Sequence, residues 1–232
     1  MNRQLALAIQ LNEQSTFSDF FWAEPNQLLR MHLQQVFQGY GERLIYIWGN
    51  SGAGKSHVLQ ACVHDAVRNQ PAIYLPLKTL KEWGPEAIEG LDHSQALLCI
   101  DDVDCIATDR YWEEALFHLY NRIRDEGKAV LMLSGLCPPR QLPLQLADLR
   151  SRLCGSFVSQ LHELSDDAKI DALCLQAQKR GLELSRSVSQ FLVTRCARNM
   201  HDLHVLLNRL DDASWMAQRK LTIPFVKSIL KI

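Results

Sequence analysis

The chain has 232 residues, 47% of them hydrophobic, which is enough to bury one good core, or one core and a small second domain. Its 25 Lys and Arg residues nearly balance 26 Asp and Glu residues, and the formal net charge of −1 argues against a free-standing, strongly electrostatic nucleic-acid binder. No apolar run approaches about 18 residues, no secretory signal is recognisable, and the seven cysteines contain no C-x-x-C pair, so we expect a cytoplasmic protein without a membrane span or a disulfide framework.

The first predicted elements are a tail, a helix and a buried strand. Residues 1–16 lack helical periodicity and are predicted to form a flexible tail. The aromatic cluster 17–21 follows, and then an amphipathic helix near 27–37. The apolar run 44–48 predicts a buried strand, and residues 57–67 predict a second helix.

The link between this strand and this helix is a complete G-x-x-x-x-G-K-[ST] phosphate loop. Its glycines let backbone N–H groups approach phosphates at the positive end of the helix. Lys55 is expected to neutralise the β- and γ-phosphates, and Ser56 to ligate Mg²⁺. An ordinary glycine-rich turn is the alternative, and the flanking strand and helix disfavour it. The expected nucleotide-binding residues are Gly49, Asn50, Ser51, Gly52, Ala53, Gly54, Lys55, Ser56 and His57.

Four further apolar runs follow along the chain. Strands are predicted at 72–77, 96–100, 129–134 and 157–161, and a helix is predicted at 111–126. Continuous apolar strands that alternate with helices predict a parallel sheet covered on both faces.

From Ser165 onward the pattern becomes helical. Residues 167–179, 188–195 and 201–218 predict helices, and a short last helix begins near Thr222. The sequence therefore predicts an α/β fold, a three-layer domain with a parallel sheet, followed by a C-terminal all-α lid. The expected domains are the tail at 1–16, the nucleotide-binding domain at 17–163 and the lid at 164–232.

Polar side chains follow two of the predicted strands. In an open parallel sheet functional groups gather at the carboxyl ends of the strands, so Asp101 is expected to hold Mg²⁺ through water. Asp102 could orient the attacking water, but an Asp reaches it less well than a Glu, which predicts slow intrinsic hydrolysis. Ser134, at the end of the next strand, could sense or polarise the γ-phosphate. Acids that start a loop and a serine that shapes a turn are the structural alternatives.

Two arginines, Arg150 and Arg152, lie just before the last predicted strand. A guanidinium group there could stabilise the transferring phosphate of a neighbouring subunit, an effect worth about 10³–10⁵ in rate. A solvated surface arginine is the alternative. His201 and His204 have a spacing that metal ligands also use, but no further ligand accompanies them, so surface or packing roles are favoured.

The ordered set of the phosphate loop, Asp101–Asp102, Ser134, Leu149–Arg152 and a helical lid resembles the AAA+ ATPases of the DnaA initiator branch. The resemblance covers nearly the whole chain and is closest to the regulatory inactivators of DnaA. In DnaA a helix-turn-helix domain would follow at this point, and the resemblance implies that this chain does without it.

Three further segments extend the resemblance. Residues 17–21 with Asn26 are similar to the adenine-side motif of the branch, and residues 113–121 also resemble DnaA. The resemblance places the sensor arginine of the lid at His201, a shorter side chain that is mostly neutral at pH 7. It therefore implies a protein that holds ADP, or ATP, with Mg²⁺ and hydrolyses little by itself.

Within the tail, a short pattern resembles the Q-L-x-L-x-[L/F] peptide that docks on the bacterial sliding clamp. Its side chains are Gln4, Leu5, Leu7 and Ile9. Gln4 could form a hydrogen bond at the mouth of a pocket while the three apolar side chains enter the groove. A strand or helix end that packs on its own domain is the alternative.

The resemblance implies a regulatory mechanism. Tethered to a DNA-loaded DNA polymerase III sliding clamp, the chain docks on ATP-bound DnaA and presents Arg152 to its nucleotide, with Arg150 as the weaker candidate. The expected partners are DnaA, the clamp, DNA indirectly through the clamp, and further copies of the chain in a homodimer or higher homo-oligomer. A DnaC-like helicase-loader ATPase acting on single-stranded DNA and an AAA+ adaptor for other origin proteins are the alternatives.

Overall fold

The computed structural model describes residues 11–13, 15–89, 91, 95–196 and 199–231. The chain divides into two units, residues 1–162 and 163–232. Within the described part, no helix combines the length and the apolar character that crossing a membrane requires.

A parallel sheet forms the centre of the first unit. Its strand order is β2-β3-β4-β1-β5, and every neighbouring pair is parallel. All residues of β3 and β4 are buried, as the continuous apolar runs in the sequence predict. The predicted parallel sheet is therefore confirmed. Its strands are β1 Leu44–Trp48, β2 Ala72–Pro76, β3 Leu97–Asp101, β4 Val130–Gly135 and β5 Phe157–Gln160.

Helices cover both faces of this sheet. Successive side chains of a strand point to opposite faces, so Tyr46 and Leu133 pack with α5 and α6 on one face, and Ile47 and Met132 pack with α1 and α2 on the other. The three-layer arrangement is thus confirmed. The α-helices described in this unit are α1 Gln27–Phe37, α2 Lys55–Ala66, α3 Leu77–Leu80, α4 Glu86–Glu89, α5 Arg110–Glu126 and α6 Ala147–Cys154. Short 3-10 helices lie at Glu24–Asn26, Lys81–Trp83, Val103–Ile106 and Pro139–Gln141.

The described residues 11–13, 15 and 16 differ from the flexible tail predicted for 1–16. The backbone N–H of Asn12 donates to Oε1 of Gln60 at 2.9 Å. The Nε2 atoms of His57 and His64 lie 2.9 Å and 3.0 Å from the carbonyl oxygens of Thr16 and Asn12. This segment is therefore bound along α2 by side chains that point outward from that helix, a kind of contact that periodicity does not reveal.

The second unit is all-α, as predicted. Each of its helices begins at a side chain that accepts a hydrogen bond from the backbone N–H three residues later, which satisfies one of the free donors at the helix start. These capping residues are Ser165, Ser185, Asn199 and Thr222. Leu173, Leu192, Leu207 and Val226 belong to a core of its own. The helices are α7 Asp166–Lys179, α8 Arg186–Arg195, α9 Met200–Ala217 and α10 Ile223–Leu230.

Candidate nucleotide-binding site

The phosphate loop connects β1 to α2 through a backbone that requires glycine. Gly52 and Gly54 have φ angles of 86° and 99°, in the left-handed region that glycine adopts without strain. A Cβ atom on Gly54 would lie 2.8 Å from a ring carbon of Phe20. On Gly49 it would lie 2.3 Å from the carbonyl oxygen of Leu161. The motif glycines thus serve both the turn and a close approach to neighbouring chain.

The first turn of α2 is open to an anion. The helix begins at Lys55, and no side chain caps it, because the residue in the capping position is Gly54. Helices α1, α3 and α6 also have no side-chain cap, so what sets α2 apart is that it begins directly after the glycines of the phosphate loop. Uncapped N–H groups at the positive end of a helix dipole attract phosphate. The residues present therefore fit a nucleotide phosphate.

Lys55 is buried and folded back over the loop. Its Nζ donates to the carbonyl oxygens of Gly49 at 2.7 Å and Asn50 at 3.0 Å. Burial lowers the pKa of Lys55, and the negative charges of Asp102 and Asp101 oppose this change. The ammonium group is thus held at the mouth of the loop, close to the two acids that the sequence predicted for the site.

Asp101 is almost fully buried, with 1% of its surface exposed, and three donors bind its carboxylate. Oδ2 accepts from the Tyr74 hydroxyl at 2.6 Å, and Oδ1 accepts from the Asp102 backbone N–H at 3.2 Å and from the Ser134 hydroxyl. Burial and the negative charge of Asp101 raise the pKa of Tyr74, while hydrogen bonds with Gln60 and Ser56 oppose the rise. The Tyr74 hydroxyl therefore stays protonated and donates to the carboxylate expected to hold Mg²⁺ through water.

Ser134 serves Asp101 in this arrangement. Its single hydroxyl proton goes to Asp101, and its oxygen accepts from the Asp102 N–H at 3.0 Å. In this arrangement Ser134 orients the strand-end acids. Its predicted role toward a γ-phosphate stays a prediction.

Asp102 forms an ion pair that the sequence did not indicate. Its Oδ2 lies 3.0 Å from Nζ of Lys78, which follows β2 in α3. The backbone of Asp102 is left-handed, with φ at 59°. Burial and the negative charge of Asp101 raise the pKa of Asp102, and Lys78 opposes this shift. The predicted water-orienting carboxylate is therefore engaged with a cation of the same chain.

Replacing Lys78 by alanine is expected to raise ATP turnover by the chain alone, by at most about fivefold. The Lys78 side chain is 62% exposed, and a pair of this kind contributes up to about 1 kcal/mol, which limits the gain from releasing Asp102. Phosphate release by the purified chain with Mg²⁺ measures it. Lys81→Ala is the matched control, because Lys81 donates to the carbonyl oxygen of Cys105 instead. An unchanged rate in Lys78→Ala would show that the ion pair between Lys78 and Asp102 does not restrain hydrolysis.

The side chain of Asn26 forms hydrogen bonds within the protein. Its side-chain amide donates to the carbonyl oxygen of His162 at 3.0 Å and accepts from the N–H of the same residue at 2.9 Å. The amide of Asn26 thus binds the backbone of His162, and the role of Asn26 as a nucleotide ligand stays a prediction. The pair fixes the segment that contains Leu161, whose carbonyl oxygen faces Gly49.

An aromatic group lies beside the phosphate loop. The ring centroid of Phe20 lies 4.6 Å from the ring centroid of Trp22 and 5.3 Å from that of His57. Burial lowers the pKa of His57, and its hydrogen bond to the backbone of Thr16 opposes this shift. A neutral imidazole and two aromatic rings next to the loop suit a flat base. These rings therefore support the prediction that residues 17–21 lie on the adenine side of the nucleotide.

The two arginines lie on α6, a helix that the sequence analysis did not predict. Arg150 is half-buried, and its guanidinium donates to the carbonyl oxygen of Leu144. Arg152 is exposed, and its guanidinium forms no hydrogen bond or ion pair with the residues that the structure describes. Of the two, Arg152 is the guanidinium available to another molecule.

Two groups of predicted residues lie apart from these contacts. His201 is exposed on α9 in the second unit, and its role as a nucleotide sensor stays a prediction. The clamp-peptide residues Gln4, Leu5, Leu7 and Ile9 lie outside the described residues.

Both units match known families. Residues 11–161 match the family model of the bacterial DnaA ATPase domain, which covers the phosphate loop, the strand-end acids and α6. Residues 166–230 match the model described as the lid domain of Hda.

Solved structures share the fold. Domain III of Thermotoga maritima DnaA has a TM-score of 0.78 and 22% identity, over 96% of this chain and 98% of that one. Aquifex aeolicus DnaA bound to AMPPCP has a TM-score of 0.74 and 23% identity, over 87% and 66% of the two chains. The RuvB branch-migration motor of T. maritima has a TM-score of 0.68 and 14% identity, over 94% and 71%. These likenesses confirm the AAA+ fold.

Proposed function

Since this chain belongs to the family of bacterial DnaA ATPase domains and has a lid of the Hda type, we propose that its replication-related role is to inactivate DnaA. The chain holds ADP, docks on DnaA that carries ATP, and presents Arg152 to that nucleotide. Hydrolysis leaves DnaA with ADP and restrains initiation. The observation that carries the proposal is the guanidinium of Arg152, which is exposed and has no partner among the described residues, in a chain whose own candidate base, Asp102, is ion-paired.

The cofactor in this proposal is an adenine nucleotide with Mg²⁺. The uncapped start of α2 and the buried Lys55 favour a di- or triphosphate, and a DnaA of the same fold has been solved with AMPPCP. Ser56 would hold Mg²⁺ directly and Asp101 through water, and the ion would neutralise phosphate charge. Asp102 is paired with Lys78, which restrains hydrolysis by the chain itself, so a resident ADP would come from ADP that the chain binds rather than from ATP that it hydrolyses.

The partners follow from the same reasoning. A guanidinium that completes a neighbour's site must reach a separate nucleotide, so DnaA in its ATP form is the main partner. The sliding clamp would bind the peptide that contains Gln4, Leu5, Leu7 and Ile9, and would bring the chain to DNA without direct contact. Copies of the chain would meet in a homodimer or a higher homo-oligomer.

A helicase-loader ATPase acting on single-stranded DNA is the competing function. A DnaA of the same fold has been solved with AMPPCP and single-stranded DNA, over 90% of this chain, at 20% identity and a TM-score of 0.71. The formal net charge of −1 gives this chain no general attraction for DNA. The loader function would require ATP turnover that single-stranded DNA stimulates without DnaA.

The proposal is tested in a reconstituted reaction. The purified chain with ADP is mixed with DnaA that carries labelled ATP, in the presence of DNA-loaded clamp, and conversion to ADP on DnaA is followed. We expect acceleration that requires the chain and is greatest with the loaded clamp. Conversion no faster than with DnaA alone would overturn the proposal. Turnover driven by single-stranded DNA without DnaA would favour the loader instead.

Deleting residues 1–10 is expected to remove the stimulation by the clamp while nucleotide binding stays intact. The peptide would bury three apolar side chains, each worth about 1.5–3 kcal/mol, so the affinity for the clamp should fall at least about tenfold. Binding to immobilised clamp and ADP titration measure the two effects. Replacing Asn2 and Arg3 by alanine, outside the predicted peptide, is the control. Clamp binding that survives the deletion would refute the assignment.

A further inference from the structure

Helix α5 holds the start of α6 through a buried carboxylate. Glu113 is fully buried in the first turn of α5 and accepts three backbone hydrogen bonds. The N–H of Thr108 donates to Oε1 at 2.8 Å, that of Gln145 to Oε1 at 3.1 Å, and that of Leu146 to Oε2 at 2.7 Å. Leu146 directly precedes α6, so this carboxylate fixes the point where the helix begins.

The same helix holds the other end of α6 at the arginine itself. The Tyr120 hydroxyl donates to the carbonyl oxygen of Arg152 at 2.9 Å and lies 3.0 Å from Oγ of Ser156. Burial raises the pKa of Tyr120, so the phenol keeps its proton and stays a donor. Between the two ends, Leu149 and Leu153 pack fully buried into the core that also contains residues of α5. The backbone of Arg152 is thus tied down while its guanidinium is exposed.

We propose that Tyr120 is a positioning residue for Arg152: by bonding the carbonyl oxygen of that residue, it fixes the origin from which the guanidinium reaches a partner's nucleotide. The proposal rests on the proposed function of Arg152. A cation that acts across an interface helps only when it is already in place, and a misplacement of about 1 Å can reduce a rate about 100-fold. Tyr120 is buried, with 2% of its surface exposed, and its bond to the Arg152 carbonyl is partly buried, so its hydroxyl is held in a fixed position beside that carbonyl.

The test is Tyr120→Phe in the full-length chain, which removes one oxygen atom and keeps the packing of the ring. In the reconstituted reaction with ATP-bound DnaA, loaded clamp and DNA, the maximal rate of DnaA hydrolysis should fall about tenfold. The concentration of chain that gives half of the maximal effect should stay unchanged, because Tyr120 is buried and does not meet the partner. Tyr111→Phe on the same helix is the control, since Tyr111 is 77% exposed.

A second measurement separates failure of this inference from failure of the proposed function. Hydrogen exchange of backbone amides needs no partner, and Tyr120→Phe should speed exchange at 152–156 relative to β3 and β4. Faster exchange together with a lower maximal rate supports the inference. Unchanged exchange, or an unchanged maximal rate with an active wild-type chain, overturns it. If the wild-type chain does not accelerate DnaA hydrolysis, the proposed function fails, and the exchange result alone decides whether Tyr120 anchors Arg152.

Discussion

Replacing Arg152 by alanine is expected to reduce the stimulated hydrolysis of ATP on DnaA by about 10³-fold or more, to the level of DnaA alone. A guanidinium supplied in trans stabilises the charge that develops on the transferring phosphate, and this contribution is worth about 10³–10⁵ in rate. The Arg152 guanidinium forms no hydrogen bond or ion pair within the described part of the chain, and alanine keeps the backbone carbonyl that Tyr120 binds, so the substitution should leave the fold intact.

Two further variants decide how specific this effect is. Arg152→Lys keeps a positive charge but loses the planar fork that binds two phosphate oxygens, so it should recover only a small part of the stimulation. Arg150→Ala should retain most of it, because the Arg150 guanidinium is bound to the carbonyl oxygen of Leu144. Single-turnover conversion of labelled ATP on DnaA measures all three. Full stimulation by Arg152→Ala would refute its role, and a loss confined to Arg150→Ala would transfer the role to Arg150.

Replacing Lys55 by alanine is expected to weaken ADP binding by about 100-fold or more. Charge-assisted hydrogen bonds contribute about 1.5–3 kcal/mol each, and the buried ammonium of Lys55 is the cation nearest to the uncapped start of α2. The change also removes the Lys55 ammonium from the carbonyl oxygens of Gly49 and Asn50, of which Asn50 keeps the N–H of Ala53, so the empty protein should lose some stability as well.

Titration with fluorescent ADP and thermal unfolding with and without ADP measure these effects. The wild-type chain should gain melting temperature with ADP, because a ligand that binds only the folded state stabilises it, and Lys55→Ala should gain almost none. Lys81→Ala should behave as wild type, because the Lys81 ammonium donates to the carbonyl oxygen of Cys105, outside the phosphate loop. ADP binding by Lys55→Ala within about threefold of wild type would show that the loop does not hold the phosphates through this side chain.

The sheet and the phosphate loop could be predicted from the sequence because their signals are local. A continuous apolar run such as 97–100 indicates a strand buried on both faces, and the spacing of Gly49, Gly54 and Lys55 leaves few other interpretations. The all-α second unit was likewise visible, since serine or asparagine begins each helical pattern at Ser165, Ser185 and Asn199.

The contacts within the site could not be predicted, because they join residues far apart in the chain. Tyr74 meets Asp101 from the neighbouring strand, and Lys78 meets Asp102 from the segment after it. Neither residue has a local pattern that separates it from an ordinary strand tyrosine or a surface lysine. Helix α6 was missed for another reason: no side chain caps its start, and only Leu149 and Leu153 of its eight residues are buried, so the sequence shows neither a start signal nor a clear helical period.

The attachment of residues 11–13, 15 and 16 to α2 limits how far a protein bound to the preceding residues can move from that helix. Three peptide units span at most about 11 Å. The point at which a macromolecule binds position 9 therefore lies within that distance of Asn12. The backbone of Asn12 is hydrogen-bonded to the side chains of Gln60 and His64, which lie on α2, the helix that starts with Lys55 and Ser56. If the sliding clamp binds residues 4–9 as proposed, it would therefore contact the chain near α2, the helix that begins at the phosphate loop.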